Sequence, residues 1–133
     1  MIVKADDGSI RGVAWNHETK RTGKKLDVDV EIEVTPDAAD AAEYSLITKT
    51  VDEDVCNPLK VWHDLGEPSS LSAGQKATIL EASRPQITSS RIKSTDGRLE
   101  FNLKLNEFGV TYFECRKIEG MGDRGYTYER IMK

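Results

Sequence analysis

Residues 26–34 read LDVDVEIEV, and the alternation has no fault: Val28, Val30, Ile32 and Val34 fall on one side, Asp27, Asp29, Glu31 and Glu33 on the other. A period of two belongs to an extended strand, whose successive side chains point to opposite faces. One face suits a core and the other suits water. The segment therefore predicts a half-buried strand of an antiparallel sheet.

Outward from this strand the same grammar recurs. Toward the amino terminus, Ile2 to Ala5 and Ser9 to Trp15 flank Asp7-Gly8, which predicts a tight hairpin. Asn16 to Lys25 is a polar loop carrying the basic cluster Lys20, Arg21, Lys24 and Lys25. Beyond Val34, Pro36 closes the strand, Asp37 to Glu43 makes a loop or a short turn of helix, and Tyr44 to Val51 resumes as a strand. The passage between sheets is expected there. Further on, Ser89 to Ser94 and Leu99 to Leu105 flank Thr95-Asp96-Gly97-Arg98, which predicts a second hairpin. Leu99, Phe101, Leu103 and Leu105 alternate with Glu100, Asn102 and Lys104. Asn106 to Gly109 turns the chain into Val110 to Ile118, where Tyr112 and Phe113 compete for the inward face. From Glu119 onward the chain reads as a glycine-rich loop, with Tyr126 to Met132 as an edge strand.

The period changes at Asp52 to Pro68, DEDVCNPLKVWHDLGEP, where the end signals are those of helices. Asn57-Pro58 suits an N-cap followed by a first helical position, because proline's missing N–H would have no partner there anyway. Gly66 suits the left-handed stop. Ser72 and Gln75 form a capping box that starts a second helix. Ala73, Ala77 and Leu80 give that helix an apolar stripe, and Arg84-Pro85 ends it. Hairpins with one helical insertion predict an all-β, antiparallel two-sheet β-sandwich of immunoglobulin-like architecture. Residues 1–118 make this domain, with the insertion over 57–83 bracing it, and residues 119–133 form the loop and tail.

Composition bounds the function. The chain has 133 residues, enough for one domain with a core. Its net charge of −4 argues against a nucleic-acid surface. No apolar run reaches the roughly 20 residues of a membrane span. Cys56 and Cys115 show neither a disulfide framework nor metal spacing, so both are expected to be reduced, as in a cytoplasmic protein. No signal-peptide pattern opens the chain.

Three patterns invite chemistry and fail on context. Gly120-Met121-Gly122-Asp123-Arg124-Gly125 fits a dinucleotide fingerprint, but no helix can follow in the remaining strand-like residues. The row Asp27, Asp29, Glu31 and Glu33 is spaced by about 7 Å in a strand, which does not converge on a cation. It reads as a solvated face relieved by basic residues on a neighbouring strand, or as an interface for a basic partner. Asn106-Glu107 reads as an ordinary turn. His17 and His63 read as surface residues, and Gly66 is expected to keep His63 and Glu67 off a shared face. No catalytic residue, cofactor or metal is implied. Trp15 reads as core. Trp62 is either an apolar anchor plugging the sandwich or a platform for a sugar, with Tyr126 and Tyr128 as further stacking candidates.

The set Val51-Asp52, Asn57, Trp62, Gly66-Glu67-Pro68, the helix from Gln75 to Ser83 and Gly109-Val110, with Trp15-Asn16 upstream, resembles the carboxy-terminal β-sandwich region of family 39 glycoside hydrolases, the β-xylosidase group. Asp52, Asn57, Trp62, Gly66 and Pro68 are its structural signature. Cys56 and Pro58 depart from the usual neighbours of Asn57, and the stretch after Ile118 has no counterpart. That resemblance implies chemistry on a separate (β/α)8 barrel, about 250 residues in size, which this chain cannot contain. It implies a noncatalytic accessory domain partnered by the barrel of a β-xylosidase-like parent. It also leaves a carbohydrate-binding or homo-oligomerising module open, including one from an AraC-type sugar-responsive regulator fused to such a barrel.

Overall fold

Seven strands and two helices follow one another in the computed structural model, which describes residues 1–34 and 42–119. They are β1 (Ile2–Lys4), β2 (Ile10–Trp15), β3 (Leu26–Glu33), β4 (Glu43–Val51), α1 (Pro58–Asp64), α2 (Ala73–Ala82), β5 (Gln86–Lys93), β6 (Arg98–Leu105) and β7 (Val110–Lys117). All pairings are antiparallel. One sheet has the order β1-β2-β7-β4-β5, and the other is β3 paired with β6. The predicted all-β two-sheet sandwich with a short helical insertion is the observed fold. Its strands divide unequally, five against two. The Gly120–Gly125 loop, Tyr126 and Tyr128 lie outside the described residues.

The unbroken alternation of residues 26–34 becomes the buried side of the small sheet. Val30, Ile32 and Val34 meet Leu99 and Leu103 of β6 in the core, across from Ile10, Leu46, Phe113 and Cys115 of the large sheet. Phe113 resolves the competition in β7: it is 1% exposed, while Tyr112 faces outward with Glu114. Register explains why. Phe113 lies opposite Gly12, and a Cβ on Gly12 would come within 2.2 Å of the Phe113 ring. The glycine vacates the space that the aromatic ring fills. Phe101 packs edge-on against the same ring at 5.1 Å, a favoured geometry for two aromatic quadrupoles.

The turn at Asp96-Gly97 forms, with both residues at positive φ. Thr95 and Arg98 exchange backbone hydrogen bonds at 2.9 and 3.0 Å. The predicted second hairpin does not follow. After that single bridge β5 pairs with β4 in the large sheet and β6 pairs with β3 in the small one, so this turn is a corner between sheets. The physical reason lies in the side chains. β6 carries Leu99, Leu103 and Leu105 and needs an apolar partner, whereas β5 offers Gln86, Thr88 and Ser90 on its inward side.

Trp15, expected in the core, is 56% exposed. The β2 register places Ile10, Gly12 and Ala14 inward, which sends Trp15 outward with Arg11 and Val13. The helices also depart from expectation. Both caps are as read: the Asn57 side chain accepts from Lys60 N, Pro58 opens α1, and Ser72 and Gln75 form the reciprocal box. Neither helix buries a residue, and they pack on one another rather than bracing the sandwich. The half-buried line of α2 is Gln75, Ile79 and Ala82, while Leu80 is 66% exposed. Among the described residues α2 packs on α1, and a helix this short shelters one narrow strip.

Candidate functional site

Three parts of the family resemblance, scattered along the sequence, meet at one end of the sandwich, while Asn57, Trp62, Gly66 and Pro68 lie in the helical insertion. Val51-Asp52 ends β4, Trp15-Asn16 ends β2, and Gly109-Val110 begins β7, and these three strands are lateral neighbours. Asn16 is buried, and its amide nitrogen donates to Lys24 O at 3.0 Å and to Asn106 O at 3.3 Å. Asn106 donates in turn to Asp52 Oδ2 at 3.0 Å. The other oxygen of Asp52 accepts from the backbone N–H groups of Asp54 and Val55, both at 2.8 Å. An aspartate held this way locks the chain as it leaves the sheet for the helical insertion.

Glu107, read from sequence as an ordinary turn residue, is 9% exposed. Its two carboxylate oxygens accept from Thr22 N and Gly23 N at 2.5 and 2.8 Å. Those bonds tie the long polar loop to the β6–β7 turn, and they commit the carboxylate to the backbone rather than to an incoming substrate. Gly109 is required here for a different reason: a Cβ on it would lie 2.9 Å from Asn106 O. Arg21 adds a bidentate grip on Glu53.

Above this polar hub lies an apolar row. Trp15 pairs with Val110, and Val110 pairs with Val51, all on the outer face of the large sheet. Their exposures are 56%, 40% and 38%, and Phe108 beside them is 38% exposed. Apolar surface scattered singly is ordinary, whereas here four such side chains, one of them a tryptophan, cluster on a rigid support. Sequence reasoning missed this row because it sent Trp15 to the core. The signal was available in the pairing of Trp15 with Asn16, one facing out and one buried.

Trp62 is half-buried, and its indole N–H donates to Pro68 O at 3.2 Å. It therefore staples α1 to the turn that follows, outside the core cluster of the sandwich. Gly66, at φ 90°, gives its N–H to His63 O and stops α1 as expected. The chain bends enough past that stop for His63 Nδ1 to reach Glu67 Oε1 at 2.7 Å, contrary to the expectation that Gly66 would separate them. Both side chains are exposed.

The acidic row faces water, opposite Lys104, Asn102, Glu100 and Arg98 on β6. Asn102 donates to both Asp27 and Asp29, and Arg98 meets Glu31 at 2.9 Å. Relief by basic residues is thus only part of the account, since a neutral carboxamide bridges two of the four carboxylates. Among the described residues no group of three His, Cys, Asp or Glu side chains could hold a metal ion. Both carboxylates of the hub are engaged within the scaffold: Glu107 accepts from two backbone amides, and Asp52 accepts from two backbone amides and the Asn106 carboxamide.

A second feature is a cleft of about 470 Å³ between the sheets. Its walls are the inner face of β4 and β5, with Thr48, Thr50, Gln86, Thr88 and Ser90, and the outer edge of β6 from Asn102 to Lys104. The hydroxyls of Thr48 and Thr88 pair with each other, as do those of Thr50 and Thr111 at 3.0 Å.

The arrangement is that of a β-sandwich domain with a helical pair inserted between two neighbouring strands. A model of the glycosyl hydrolases family 39 matches residues 1–100, and the chain belongs to that family. Its fold is similar to that of a GH39 enzyme from Xanthomonas axonopodis pv. citri, at TM-score 0.66 and 16% identity, covering 86% of this chain and 25% of that one. A monomeric β-xylosidase from Caulobacter crescentus CB15 matches at 0.63 and 17%, over 86% and 26%. A bacterial orthologue of human α-L-iduronidase matches at 0.64 and 17%, over 91% and 22%. The chain therefore spans about a quarter of the length of these proteins. No helix among the described residues is long and apolar enough to cross a membrane.

Proposed function

We propose that this chain is the noncatalytic carboxy-terminal β-sandwich of a family 39 glycoside hydrolase, and that it docks on a (β/α)8 barrel which hydrolyses β-xylosides or related glycosides. The observation that carries this reading is the convergence of Asn16, Asp52, Asn106 and Glu107 beneath the exposed row Trp15, Val110 and Val51. Buried polar networks fix one geometry at some cost in stability, and a platform for a partner domain needs that fixed geometry. The carboxylates nearest the platform serve the scaffold, which is consistent with reaction chemistry residing elsewhere in the parent.

The test uses the full-length parent. Trp15→Ser combined with Val110→Lys should lower the thermal midpoint of the barrel and leave turnover per folded molecule unchanged. A pair of substitutions that leaves the midpoint unmoved overturns the docking surface. Separately, hydrolysis of an aryl xyloside by the isolated chain, abolished by one carboxylate substitution, overturns the noncatalytic reading.

A further inference from the structure

We propose that the cleft between β4–β5 and the outer edge of β6 is a binding site for a short, neutral, polyhydroxylated ligand, a mono- or disaccharide. It is distinct from the docking row, which lies on the opposite face of the large sheet, and it does not depend on that reading.

The argument begins from unequal sheets. Two strands cannot cover five: Leu46 of β4 and Ile92 of β5 reach the core, while Gln86, Thr88 and Ser90 farther along β5 are exposed. The exposed stretch of β5 would be an apolar liability if it continued the core. It does not continue it. Beyond Leu46 the inward positions become Thr50, Thr88, Ser90 and Gln86 around a buried Thr48, so among the described residues the strip is polar where it is open. This composition is compatible with permanent exposure to water, and it also defines which solute could replace that water.

Each threonine or serine hydroxyl offers one donor and two acceptor lone pairs. When the hydroxyls of Thr48 and Thr88 bond to each other, one donor is used and the other remains available, together with acceptor capacity on both oxygens. On the β7 side of β4 the half-buried Thr50 hydroxyl pairs with the buried Thr111 and adds one further position of the same kind. A ligand that both donates and accepts at each position fits such a ladder, and vicinal sugar hydroxyls do so. Leu46 and Leu103, both buried in the core, close the floor of the cleft and give it a small apolar patch.

The opposing wall is backbone as well as side chain. Among the described residues β6 pairs only with β3, so its other edge presents main-chain groups from Asn102 to Lys104 toward the cleft. Charge narrows the class further. Among the described residues Lys104 and Asp52 are the only ionisable residues in the lining, one of each sign, and both Asp52 oxygens are already engaged. A phosphorylated or carboxylated ligand would find a single cation. The volume lies in the range of roughly 300 to 1,000 Å³ that holds small molecules.

Among the described residues no aromatic ring lines the cleft, so the ligand is held by hydrogen bonds that compete with water. Dissociation constants of about 1 to 10 mM follow for a disaccharide. Xylobiose titrated into the ¹⁵N-labelled chain should give saturable amide shifts at Thr48, Thr88, Ser90 and Asn102 to Lys104. Tryptophan fluorescence should stay constant, because neither Trp15 nor Trp62 touches the cleft. Thr88→Val, which keeps the β-branched shape of an exposed residue, and Ser90→Ala should each weaken binding about fivefold. Trp62→Ala should not change the affinity. Absence of saturable shifts up to about 50 mM, a concentration well past the expected constants, overturns the proposal. So do shifts centred on Trp62, or an unchanged affinity in the Thr88→Val, Ser90→Ala double variant.

Discussion

Replacing Asn16 tests whether the hub holds by hydrogen bonding or merely by filling space. Asn16 is 6% exposed, and its side-chain nitrogen donates to Lys24 O and to Asn106 O, which also receives Gly109 N at 2.9 Å. Asn16→Ala removes both bonds. Lys24 is exposed, so water can replace the lost donor there, whereas Asn106 O keeps Gly109 N. The cost is therefore that of roughly one buried bond with a small cavity, about 2 kcal/mol. Asn16→Asp keeps the volume but sets a carboxylate against two carbonyl oxygens, with no donor between them. Its cost should be higher, about 3 kcal/mol or more, since an unpaired buried charge is added to the lost bonds. Urea unfolding followed by the fluorescence of Trp15, the adjacent residue, gives both numbers. With a slope near about 2 kcal/mol per molar, the midpoints should fall by about 1 M and about 1.5 M. Asn16→Asp proving milder than Asn16→Ala would refute the reasoning, because packing alone predicts that order.

Further substitutions probe separate elements. Gly12→Ala should destabilise by about 2 kcal/mol through overpacking on Phe113, and pairing it with Phe113→Leu should cost less than the two changes added together, as a double-mutant cycle in urea would measure. Asn102→Asp replaces the bridging carboxamide with a carboxylate beside Asp27 and Asp29, so stability should drop by about 1 kcal/mol at low salt and recover in about 1 M salt. Burial, with a smaller contribution from Glu114, pushes the Cys115 thiol up from 9.0 to about 11. The unfolded chain therefore releases this proton first, so the stabilising effect is complete below pH 9.0 and is lost as pH rises through about 11. Mass mapping after iodoacetamide treatment of the folded chain should find label on Cys56 and not on Cys115, with both labelled only after unfolding.

Most of the fold was legible because its signals are local. The alternation of residues 26–34, the Asp-Gly turns and the caps at Asn57 and Ser72 each act within a few residues, and each formed as read. What failed was the choice of partner. The turn at Thr95 to Arg98 has the local chemistry of a hairpin, but whether two strands stay paired depends on the faces they must bury, and Leu99 and Thr88 seek different surroundings. Trp15 was misplaced because hydrophobicity was weighed above parity; its neighbours Ile10, Gly12 and Ala14 already fixed the inward set. Glu107 was invisible as a clamp because its partners, Thr22 and Gly23, lie far along the chain. The hub as a whole required the fold, although the motif residues that compose it were each noticed in sequence.

β4 and β5 are direct neighbours, with Thr50 opposite Gln86, and everything from Asp52 to Pro85 is the loop of one oversized hairpin. Loop closure grows only slowly with length, by about 0.6 kcal/mol per doubling, so the ladder tolerates cargo of almost any size at this point. Splicing in a foreign domain after Val55, or trimming the segment to a short connector, would leave the strand pairing and the Asp52 clamp intact. The molecule thus carries a natural graft point, a port through which lineages or engineers can exchange an appendage without redrawing the frame.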